Sequence, residues 1–443
     1  MPRVIHVHPA RGLRGRLIPP GDKSLSHRAL LLAGMAQGES RLTRVLRAGV
    51  TEPMLRALTA LGVTWRWDGD TLVVDSPGYQ AWRAPSATLD CGHSGTTMRL
   101  LAGALAAAGL PAVLDGSLGL RRRPMRRVTE PLRKMGVPIR DTDGHAPLIL
   151  DARPPTQPLR GGVFRLPVAS AQVKTAILLA GLAASEPVTV IEPGPSRDHT
   201  ERLLAGWGLQ VDRPAGHQVT LTPPRGPLSP LALRLPGDIS SAAFLIVAAL
   251  ITPDAHVVIE DVGLNPTRTG LLDALRAMGA RLTVEPLGER YGEPWGRITA
   301  SYTPDLHGIT VRGDLVVRMI DEFPIFAVAA TFAHGPTYVH DAQELRYKES
   351  DRIARLVHEL RALGAAMNER PDGFVAYGGG LRGGTARAHG DHRLAMALTV
   401  AGLAAQGPVQ VLGGEMYRES YPSFLADLQR LGASVGEEEV PTA

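Results

Sequence analysis

A lysine and an arginine lie about one helical turn apart, at the start of a strongly apolar segment. Lys23 follows the turn residues Gly21 and Asp22, and Arg28 comes five residues later, so both cations face one side of a helix that begins here. A helix start carries unpaired N–H groups and partial positive charge, which favour bound anions. Lysine binds phosphate as a point charge, whereas arginine matches a carboxylate bidentately. The pair predicts an anion site, and a capped surface helix is the competing interpretation.

Two later stretches place positive charge beside small residues. GHSGTTMR contains Gly95, which would let backbone approach a phosphate closely, and Arg99 four residues later. In RRRPM, Pro124 holds Arg123 in extended backbone, so that one arginine is aimed. An ordinary turn and a solvated loop are the competing interpretations of these two stretches.

Acids capable of proton transfer occur at two further predicted helix starts. Asp321 lies directly before an almost entirely apolar helix, where the helix dipole also favours a carboxylate that serves only as a cap. Glu349 and Arg352 are three residues apart and share a predicted helix face beside Lys348. These residues suit acid–base chemistry on an anionic substrate, but a surface salt-bridge ladder would show the same spacing.

Two other helix starts carry hydrogen-bonding side chains. Ser170 and Gln172 begin a buried helix, although Ser170 alone would also serve as a simple N-cap. The stretch HGDHR contains His389, Asp391 and His392. A metal site from these three is disfavoured, because no matching cluster of ligands appears elsewhere in the sequence.

A repeat of about 70 residues organises these segments. Six helical patterns each end in a glycine that precedes a short strand, with spacings of 74, 72, 71, 85 and 68 residues. Glycine suits the left-handed position that closes a helix. In the same phase, polar helix starts lead into helices that are apolar all round and therefore buried. The glycines are Gly62, Gly136, Gly208, Gly279, Gly364 and Gly432.

Six such units could form one ring or two groups of three. Single cores divide beyond about 250–300 residues, which favours two groups. We therefore expect two groups of three. The turns LIPPG and LPG resemble each other and are 216 residues apart, which indicates two crossovers between domains. The prediction is a first three-repeat domain of residues 21–234, a second of residues 1–20 and 235–443, and linkers near Pro19–Gly21 and Leu235–Gly237.

The composition limits which classes of protein this chain can belong to. The 443 residues are 44% hydrophobic and 21% charged, with a net charge of +5, as in ordinary soluble proteins. Aromatic residues are only 5%, which disfavours nucleic-acid binding. No apolar run reaches the length of a membrane span, and the N-terminus lacks the core of a signal peptide. With Cys91 as the sole cysteine, a reducing cytoplasm is expected.

Nine stretches, in order from Gly21 to about Leu431, resemble the family of 5-enolpyruvylshikimate-3-phosphate (EPSP) synthase, or 3-phosphoshikimate 1-carboxyvinyltransferase. SAQVK, RDHTE and NPTR are similar to the subgroup that includes glyphosate-tolerant enzymes. The family fold is α/β, with six βαβαββ-type repeats in two pseudo-three-fold domains with buried helices, which agrees with the repeat. The nine stretches are PGDKSLSHR, GHSGTTMR, RRRPM, SAQVK, RDHTE, NPTR, MIDEFP, ELRYKESDR and DHRLAM.

The resemblance implies transfer of the enolpyruvyl group of phosphoenolpyruvate to the 5-hydroxyl of shikimate-3-phosphate, through a tetrahedral intermediate and with release of phosphate. It implies a cytoplasmic monomer that needs no metal or organic cofactor and acts on these two small molecules, without nucleic-acid or membrane partners. Asp321 would accept the hydroxyl proton, Glu349 would protonate C3, and Lys23 would contact both substrates and help protonate the leaving phosphate.

The same resemblance implies two binding sets. Arg28 would hold the carboxylate of shikimate-3-phosphate, with Ser196 or the adjacent Arg197 at its phosphate. The set for shikimate-3-phosphate is Lys23, Ser24, Arg28, Ser170, Gln172, Ser196, Arg197, Asp321 and Lys348. The set for phosphoenolpyruvate is Lys23, Gly95, Arg123, Gln172, Arg352 and Arg393.

Three positions depart from the family pattern. His93 stands where many members have Asn, and Glu344 where some have Asn. Glu419 replaces a lysine that contacts phosphoenolpyruvate in some members, and we hypothesise that Arg418 reaches in its place. In the family that this chain resembles, alanine at the position of Gly95 narrows the site of the inhibitor glyphosate. The glycine here argues against that route to tolerance and leaves glyphosate tolerance itself undecided.

Two other functions compete with this assignment. UDP-N-acetylglucosamine enolpyruvyl transferases share the fold, but they carry Lys-Asn at the first helix and a cysteine in the arginine loop. Here the pair is Lys23-Ser24, Leu118 occupies the cysteine position, and Cys91 lies on another segment. A non-catalytic anion-binding relative would be expected to have lost an acid or a base.

Overall fold

Short strands rich in Val, Ile and Thr alternate with helices through residues 3–154, 156–214 and 216–439, the parts of the chain that the computed structural model describes. The strands are β1 Arg3–Val7, β2 Arg14–Leu17, β3 Gln37–Thr43, β4 Thr64–Asp68, β5 Thr71–Pro77, β6 Leu89–Asp90, β7 Ala112–Asp115, β8 Ile139–Thr142, β9 His145–Leu150, β10 Gly162–Arg165, β11 Val188–Ile191, β12 Val211–Asp212, β13 Gln218–Leu221, β14 Ala232–Arg234, β15 His256–Gly263, β16 Leu282–Arg290, β17 Glu293–Ser301, β18 Thr310–Val311, β19 Thr337–Val339, β20 Met367–Arg370, β21 Gly373–Ala376, β22 Gly384–Arg387, β23 Val409–Leu412 and β24 Val435–Glu439.

Most of the helices begin directly after a polar residue. They are α1 Lys23–Met35, α2 Glu52–Ala60, α3 Gly95–Ala108, α4 Leu118–Arg121, α5 Arg126–Lys134, α6 Ala171–Gly181, α7 His199–Gly206, α8 Ile239–Ile251, α9 Gly270–Ala277, α10 Asp314–Arg318, α11 Phe323–Thr331, α12 Arg352–Ala362, α13 His392–Leu403 and α14 Phe424–Arg430. Short 3₁₀ helices span Tyr79–Ala81, Gln343–Tyr347 and Gly414–Glu419.

The chain divides into two units, each with its own apolar core. What we call the first unit comprises Gly21–Leu235 and Glu289–Glu293. The second unit comprises Met1–Pro20, Pro236–Gly288 and Pro294–Ala443.

The described residues form six four-stranded sheets, one for each repeat. All six sheets share one pairing scheme. One of the two edge strands runs parallel to its neighbour, and that neighbour runs antiparallel to the next strand. The predicted mixed α/β class of six βαβαββ-type repeats is therefore confirmed. The strand orders are β14-β3-β5-β4, β6-β7-β9-β8 and β10-β11-β13-β12 in the first unit, and β16-β17-β15-β2, β18-β19-β21-β20 and β22-β23-β1-β24 in the second.

The predicted buried helices fill the two cores. In the first unit, α1, α3 and α6 are nearly free of exposed residues, and α8, α11 and α13 are buried along their whole length in the second. Helices α3 and α6 pack closely at Gly103, where a β-carbon would lie 2.3 Å from the carbonyl oxygen of Ala176. A larger residue at this crossing would force the two helices apart.

The six repeat glycines all have left-handed backbone conformation, with φ between 86° and 99°. Each lies one residue beyond the C-cap of its helix, where residues with a β-carbon are disfavoured. The predicted helix ends are thus confirmed at Gly62, Gly136, Gly208, Gly279, Gly364 and Gly432. Among the described residues, no helix is both long enough and apolar enough to cross a bilayer.

Candidate active site

The predicted site residues divide between the two units. The first unit carries Lys23, Ser24, Arg28, Gly95, Arg123, Ser170, Gln172, Ser196 and Arg197. The second unit carries Asp321, Lys348, Glu349, Arg352 and Arg393. Nearly all of them lie within the first turn of a buried helix or in the loop that precedes a helix.

Helix α1 begins at Lys23 because the Asp22 side chain accepts a hydrogen bond from the backbone N–H of Leu25 at 2.8 Å. One turn later, Arg28 donates to the carbonyl oxygen of Ser24 at 3.0 Å. The guanidinium of Arg28 therefore lies against the first turn of α1, beside Ser24.

Arg28 is a cation held inside the first unit. Its guanidinium donates to the hydroxyls of Thr200 at 2.8 Å and Thr175 at 3.2 Å. Burial lowers the pKa of Arg28 to about 10, against the opposing effect of Glu201, so the side chain remains charged at neutral pH. A fixed, desolvated guanidinium is well suited to bind a ligand carboxylate.

His27, which the sequence reasoning did not single out, ties α1 to the next helix start. Its Nδ1 contacts the carbonyl oxygen of Lys23 at 2.8 Å, and its Nε2 contacts the hydroxyl of Ser94 at 3.2 Å. Burial lowers the pKa of His27 to about 4, so the ring is neutral at physiological pH. Ser94 caps α3, so His27 positions the loop that leads to Gly95.

Gly95 opens a space between two arginines. A β-carbon there would lie 3.0 Å from Nη1 of Arg123 and 3.3 Å from Nη1 of Arg99. Arg99 in turn donates to Oε1 of Gln172 at 2.5 Å, and Nε2 of Gln172 donates to Thr96 at 2.8 Å. The structure thus brings Gly95, Arg123 and Gln172 together, as the sequence predicts.

A buried ion cluster holds the start of α6. Glu192 accepts from the backbone N–H of Ser170 and from the hydroxyl of Ser196, each at 2.7 Å. Lys174 lies 2.6 Å from Glu192 and 2.7 Å from Glu201. Although burial disfavours the ammonium, Glu201 and Glu192 raise the pKa of Lys174. Sequence reasoning missed these supporting residues. Lys174 within the apolar segment of α6 was a usable signal, because a buried lysine needs an acidic partner.

In the second unit, Asp321 lies among cations. Its Oδ1 is 3.5 Å from Nζ of Lys348 and 3.5 Å from Nη1 of Arg352. Its Oδ2 is 3.7 Å from Nη2 of Arg393, whose Nη1 also donates to the backbone carbonyl of Asp321 at 3.2 Å. Glu349 accepts from Nη2 of Arg352 at 2.7 Å. All five predicted residues of this unit therefore form one cluster.

The placement of Glu349 corrects the sequence reading in one respect. Glu349 and Arg352 do not share a helix face, because α12 begins only at Arg352. The Asp351 side chain accepts from the backbone N–H of Ala354 at 3.0 Å and so starts the helix after Glu349. The ion pair forms all the same, from the loop to the first helical residue.

Asp391 aligns the two arginines of this cluster. Its carboxylate accepts from Nε of Arg352 at 2.7 Å and from the backbone N–H of Arg393 at 2.9 Å. Burial opposes the charge, but Arg352 outweighs it and lowers the pKa of Asp391. Asp391 therefore serves as a helix cap and as the counter-ion of Arg352.

Glu322 and His389 lie close to this cluster in the sequence and make separate contacts. Glu322, fully buried, accepts from the hydroxyl of Ser240 and lies 3.9 Å from Nη1 of Arg393. His389, weighed above as a metal ligand, does not join Asp391, but contacts Glu359 on α12 at 2.6 Å.

The residues that depart from the family pattern lie at the surface or near it. His93 and Glu344 are exposed, and Glu419 is half-buried in the 3₁₀ helix Gly414–Glu419. Arg418 pairs with Glu437. Its proposed role in binding phosphoenolpyruvate stays a prediction, and an Arg418→Ala variant with unchanged affinity for phosphoenolpyruvate would contradict it.

Comparison with known proteins gives a consistent result. The model of the family described as EPSP synthase (3-phosphoshikimate 1-carboxyvinyltransferase) matches residues 7–428. A 3-phosphoshikimate 1-carboxyvinyltransferase of Acidithiobacillus ferrooxidans is 46% identical over 427 residues, covering 96% of this chain and 97% of that protein. The Thermus thermophilus protein of the same name is 48% identical over 434 residues, covering 97% of this chain and 99% of that protein.

Solved structures show the same relation. The structure of EPSP synthase from Acinetobacter baumannii superimposes with a TM-score of 0.88 at 38% identity, covering 99% of this chain and all of that one. The enolpyruvyl transferase NikO from Streptomyces tendae shares the fold, with a TM-score of 0.79 at 22% identity and coverage of 99% and 100%.

Proposed function

Because the chain belongs to the EPSP synthase family, the 3-phosphoshikimate 1-carboxyvinyltransferases, we propose that the two groups of side chains described above carry out this family's reaction. The enzyme transfers the enolpyruvyl group of phosphoenolpyruvate to shikimate-3-phosphate, in the shikimate pathway. The observation that carries the residue assignments is the cluster of Asp321 and Glu349 with Lys348, Arg352 and Arg393.

The reaction proceeds by addition and elimination. The 5-hydroxyl oxygen of shikimate-3-phosphate attacks C2 of phosphoenolpyruvate while C3 takes up a proton, which gives a tetrahedral intermediate with both the ether and the phosphate on C2. Loss of a C3 proton and cleavage of the bond from C2 to the phosphate oxygen then yield the enol ether and inorganic phosphate. The residues must therefore remove and deliver protons beside substrates that are already highly charged.

The first unit supplies the binding set for shikimate-3-phosphate. Arg28, buried and charged, binds its carboxylate, and Ser24 lies on the same helix face. Ser170 belongs to the same binding set, and Ser196 or the adjacent Arg197 binds the phosphate; Glu192 holds both serines. In the same unit, Lys23, Gly95, Arg123 and Gln172 bind phosphoenolpyruvate, and Lys23 and Gln172 contact both substrates.

The second unit supplies the acid and the base. Asp321 accepts the proton of the 5-hydroxyl, and Lys348 beside it binds shikimate-3-phosphate. Glu349 delivers a proton to C3 in the addition and takes a C3 proton back in the elimination, and Arg352 and Arg393 bind the anionic groups of phosphoenolpyruvate. Lys23 protonates the departing phosphate. Because side chains of the protein hold the guanidinium groups of Arg28 and Arg352 in place, positioning and electrostatic stabilisation carry most of the rate.

The decisive test measures phosphate release from phosphoenolpyruvate by the full chain, with shikimate-3-phosphate, with UDP-N-acetylglucosamine, or with neither. We expect release only with shikimate-3-phosphate. Release that needs the nucleotide sugar, or that needs no acceptor, would overturn the assignment. The nucleotide-sugar alternative already lacks support, because Leu118 stands at its cysteine position and Cys91 is buried, which raises the pKa of that thiol.

We also propose that the enzyme is a cytoplasmic monomer built from two three-repeat domains, residues 21–234 and residues 1–20 with 235–443. The single cysteine supports a reducing compartment. Light scattering after gel filtration should give a mass near 47.2 kDa, and twice that mass would contradict the monomer.

A further inference from the structure

A second group of potential metal ligands lies at the middle of α12, away from Arg352 at the start of that helix. His358 and Glu359 are adjacent on the helix, and His389 reaches them from the loop between β22 and α13. Nδ1 of His358 is 2.9 Å from Oε1 of Glu359, and Nε2 of His389 is 2.6 Å from the same oxygen. The catalytic reaction proposed above uses none of these residues.

The donor set is that of a zinc site. Two imidazoles and one carboxylate are ligands that Zn²⁺ accepts readily, and three protein ligands leave a fourth position for water. The three donor atoms lie within 4.8 Å of one another. In a tetrahedral zinc site with ligands at about 2.0–2.1 Å, donor atoms are about 3.3 Å apart, so small side-chain movements would replace the two hydrogen bonds by metal bonds.

The surroundings of Glu359 favour a built site over an accidental surface contact. Its side chain is only 3% exposed, and its second oxygen accepts from the backbone N–H of Arg387 at 2.8 Å. Such an outer hydrogen bond orients a carboxylate ligand and is a regular feature of metal sites. His358, by contrast, is 71% exposed, so an ion can enter from solvent and water can complete its coordination.

We propose that His358, Glu359 and His389 form a zinc-binding site that ties the second half of α12 to the loop preceding α13. His389 lies two residues before Asp391, the counter-ion of Arg352. Zinc at this position fixes the loop that carries Asp391 and stabilises the fold of the second unit. The site takes no part in proton transfer.

The test is zinc binding by the tag-free full chain after treatment with a chelator and its removal. Calorimetric titration with ZnCl₂ should show about one Zn²⁺ per chain. Thermal unfolding should give a higher melting temperature with zinc than without. His358→Gln and His389→Gln should each weaken binding by about tenfold or more and abolish the thermal shift. His358→Gln alters an exposed ring, so this variant folds and keeps the test decisive.

The matched control is His340→Gln. His340 also lies in the second unit beside an acid, 3.7 Å from Asp372, and is partly exposed, but it belongs to no cluster of three donors among the described residues. This variant should bind zinc like the wild type. No stoichiometric binding by the wild type at about 100 µM Zn²⁺, or equal affinity in the His358 and His389 variants, would overturn the proposal.

Discussion

Replacing Asp391 by asparagine tests whether one buried carboxylate aligns two substrate-binding arginines. The side chain is fully buried, and it accepts from Nε of Arg352 at 2.7 Å and from the backbone N–H of Arg393 at 2.9 Å. Asparagine keeps the shape and one acceptor oxygen for the helix cap. It removes the negative charge and places either an amide N–H or a weaker acceptor against Arg352.

The expected loss of stability follows from these contacts. Removing one partner of a buried ion pair costs about 3–5 kcal/mol. Arg352 retains Glu349 at 2.7 Å and Asp321 at 3.5 Å, so we expect the lower end, a decrease of about 3 kcal/mol in the free energy of unfolding. Because displacement of a binding group by about 1 Å can cost 100-fold, kcat/KM for phosphoenolpyruvate should fall about 100-fold.

The same variant changes the dependence of stability on pH. Folding lowers the pKa of Asp391, because Arg352 outweighs the opposing effect of burial. Such a carboxyl stabilises the protein above its unfolded pKa of about 3.9, and this contribution is lost as the pH falls through the lower folded value. The free energy of unfolding should therefore decline less steeply below about pH 4 in Asp391→Asn than in the wild type.

Urea unfolding followed by circular dichroism, together with steady-state kinetics, measures these effects. Asp351→Asn is the matched control, because Asp351 also caps a helix, through Ala354, while its ion pair with Arg346 is largely at the surface, with 37% of the acid exposed. The control should lose less than about 1 kcal/mol. Equal losses in both variants, or unchanged stability and kcat/KM in Asp391→Asn, would refute the reasoning.

Three further predictions concern the catalytic acids, the buried ion cluster at α6 and the arginine that binds the carboxylate. Asp321→Asn and Glu349→Gln should bind substrates in calorimetry but lose about 10²–10⁴-fold in turnover; turnover like the wild type in either would remove it from its role. Lys174→Met should lower the free energy of unfolding by about 3–5 kcal/mol in urea titrations, because the two carboxylates that it pairs with stay buried. The control Lys134→Met replaces an exposed lysine and should leave the free energy of unfolding nearly unchanged. Equal losses in the two variants would contradict this prediction. Arg28→Lys keeps the charge but loses bidentate geometry, so its affinity for shikimate-3-phosphate should fall about 10- to 100-fold; unchanged affinity would place the carboxylate elsewhere.

Local signals made much of the fold predictable. A glycine such as Gly62 marks a helix end because only its backbone accepts the left-handed conformation without strain. Asp22 and Ser94 mark helix starts because their side chains bond backbone N–H groups three residues ahead. The glycine signal recurs once per repeat, and a side-chain cap begins the buried helix in five of the six repeats. The six units could therefore be read from the sequence.

The supporting residues of the site were harder to predict because their partners are distant in sequence. Glu192 meets Ser170 across 22 residues, and Asp391 meets Arg352 across 39. Pattern and spacing report on neighbours within one helix or hairpin, whereas these pairs depend on how whole elements pack. The prediction that Glu349 lies on a helix was wrong for a local reason. The Asp351 side chain caps α12, so the helix begins after Glu349.

The pairing of β1 has a consequence for the order in which the chain acquires structure during synthesis. This strand lies inside its sheet, between β23 and β24, with Val4 opposite Leu412 on one side and Glu438 on the other. At about 5–20 residues per second, the ribosome needs about 20–80 s to produce those partners. The first unit, by contrast, has all but five of its residues by Leu235, so nascent chains should gain protease resistance there first, with the amino-terminal strand still waiting for its neighbours.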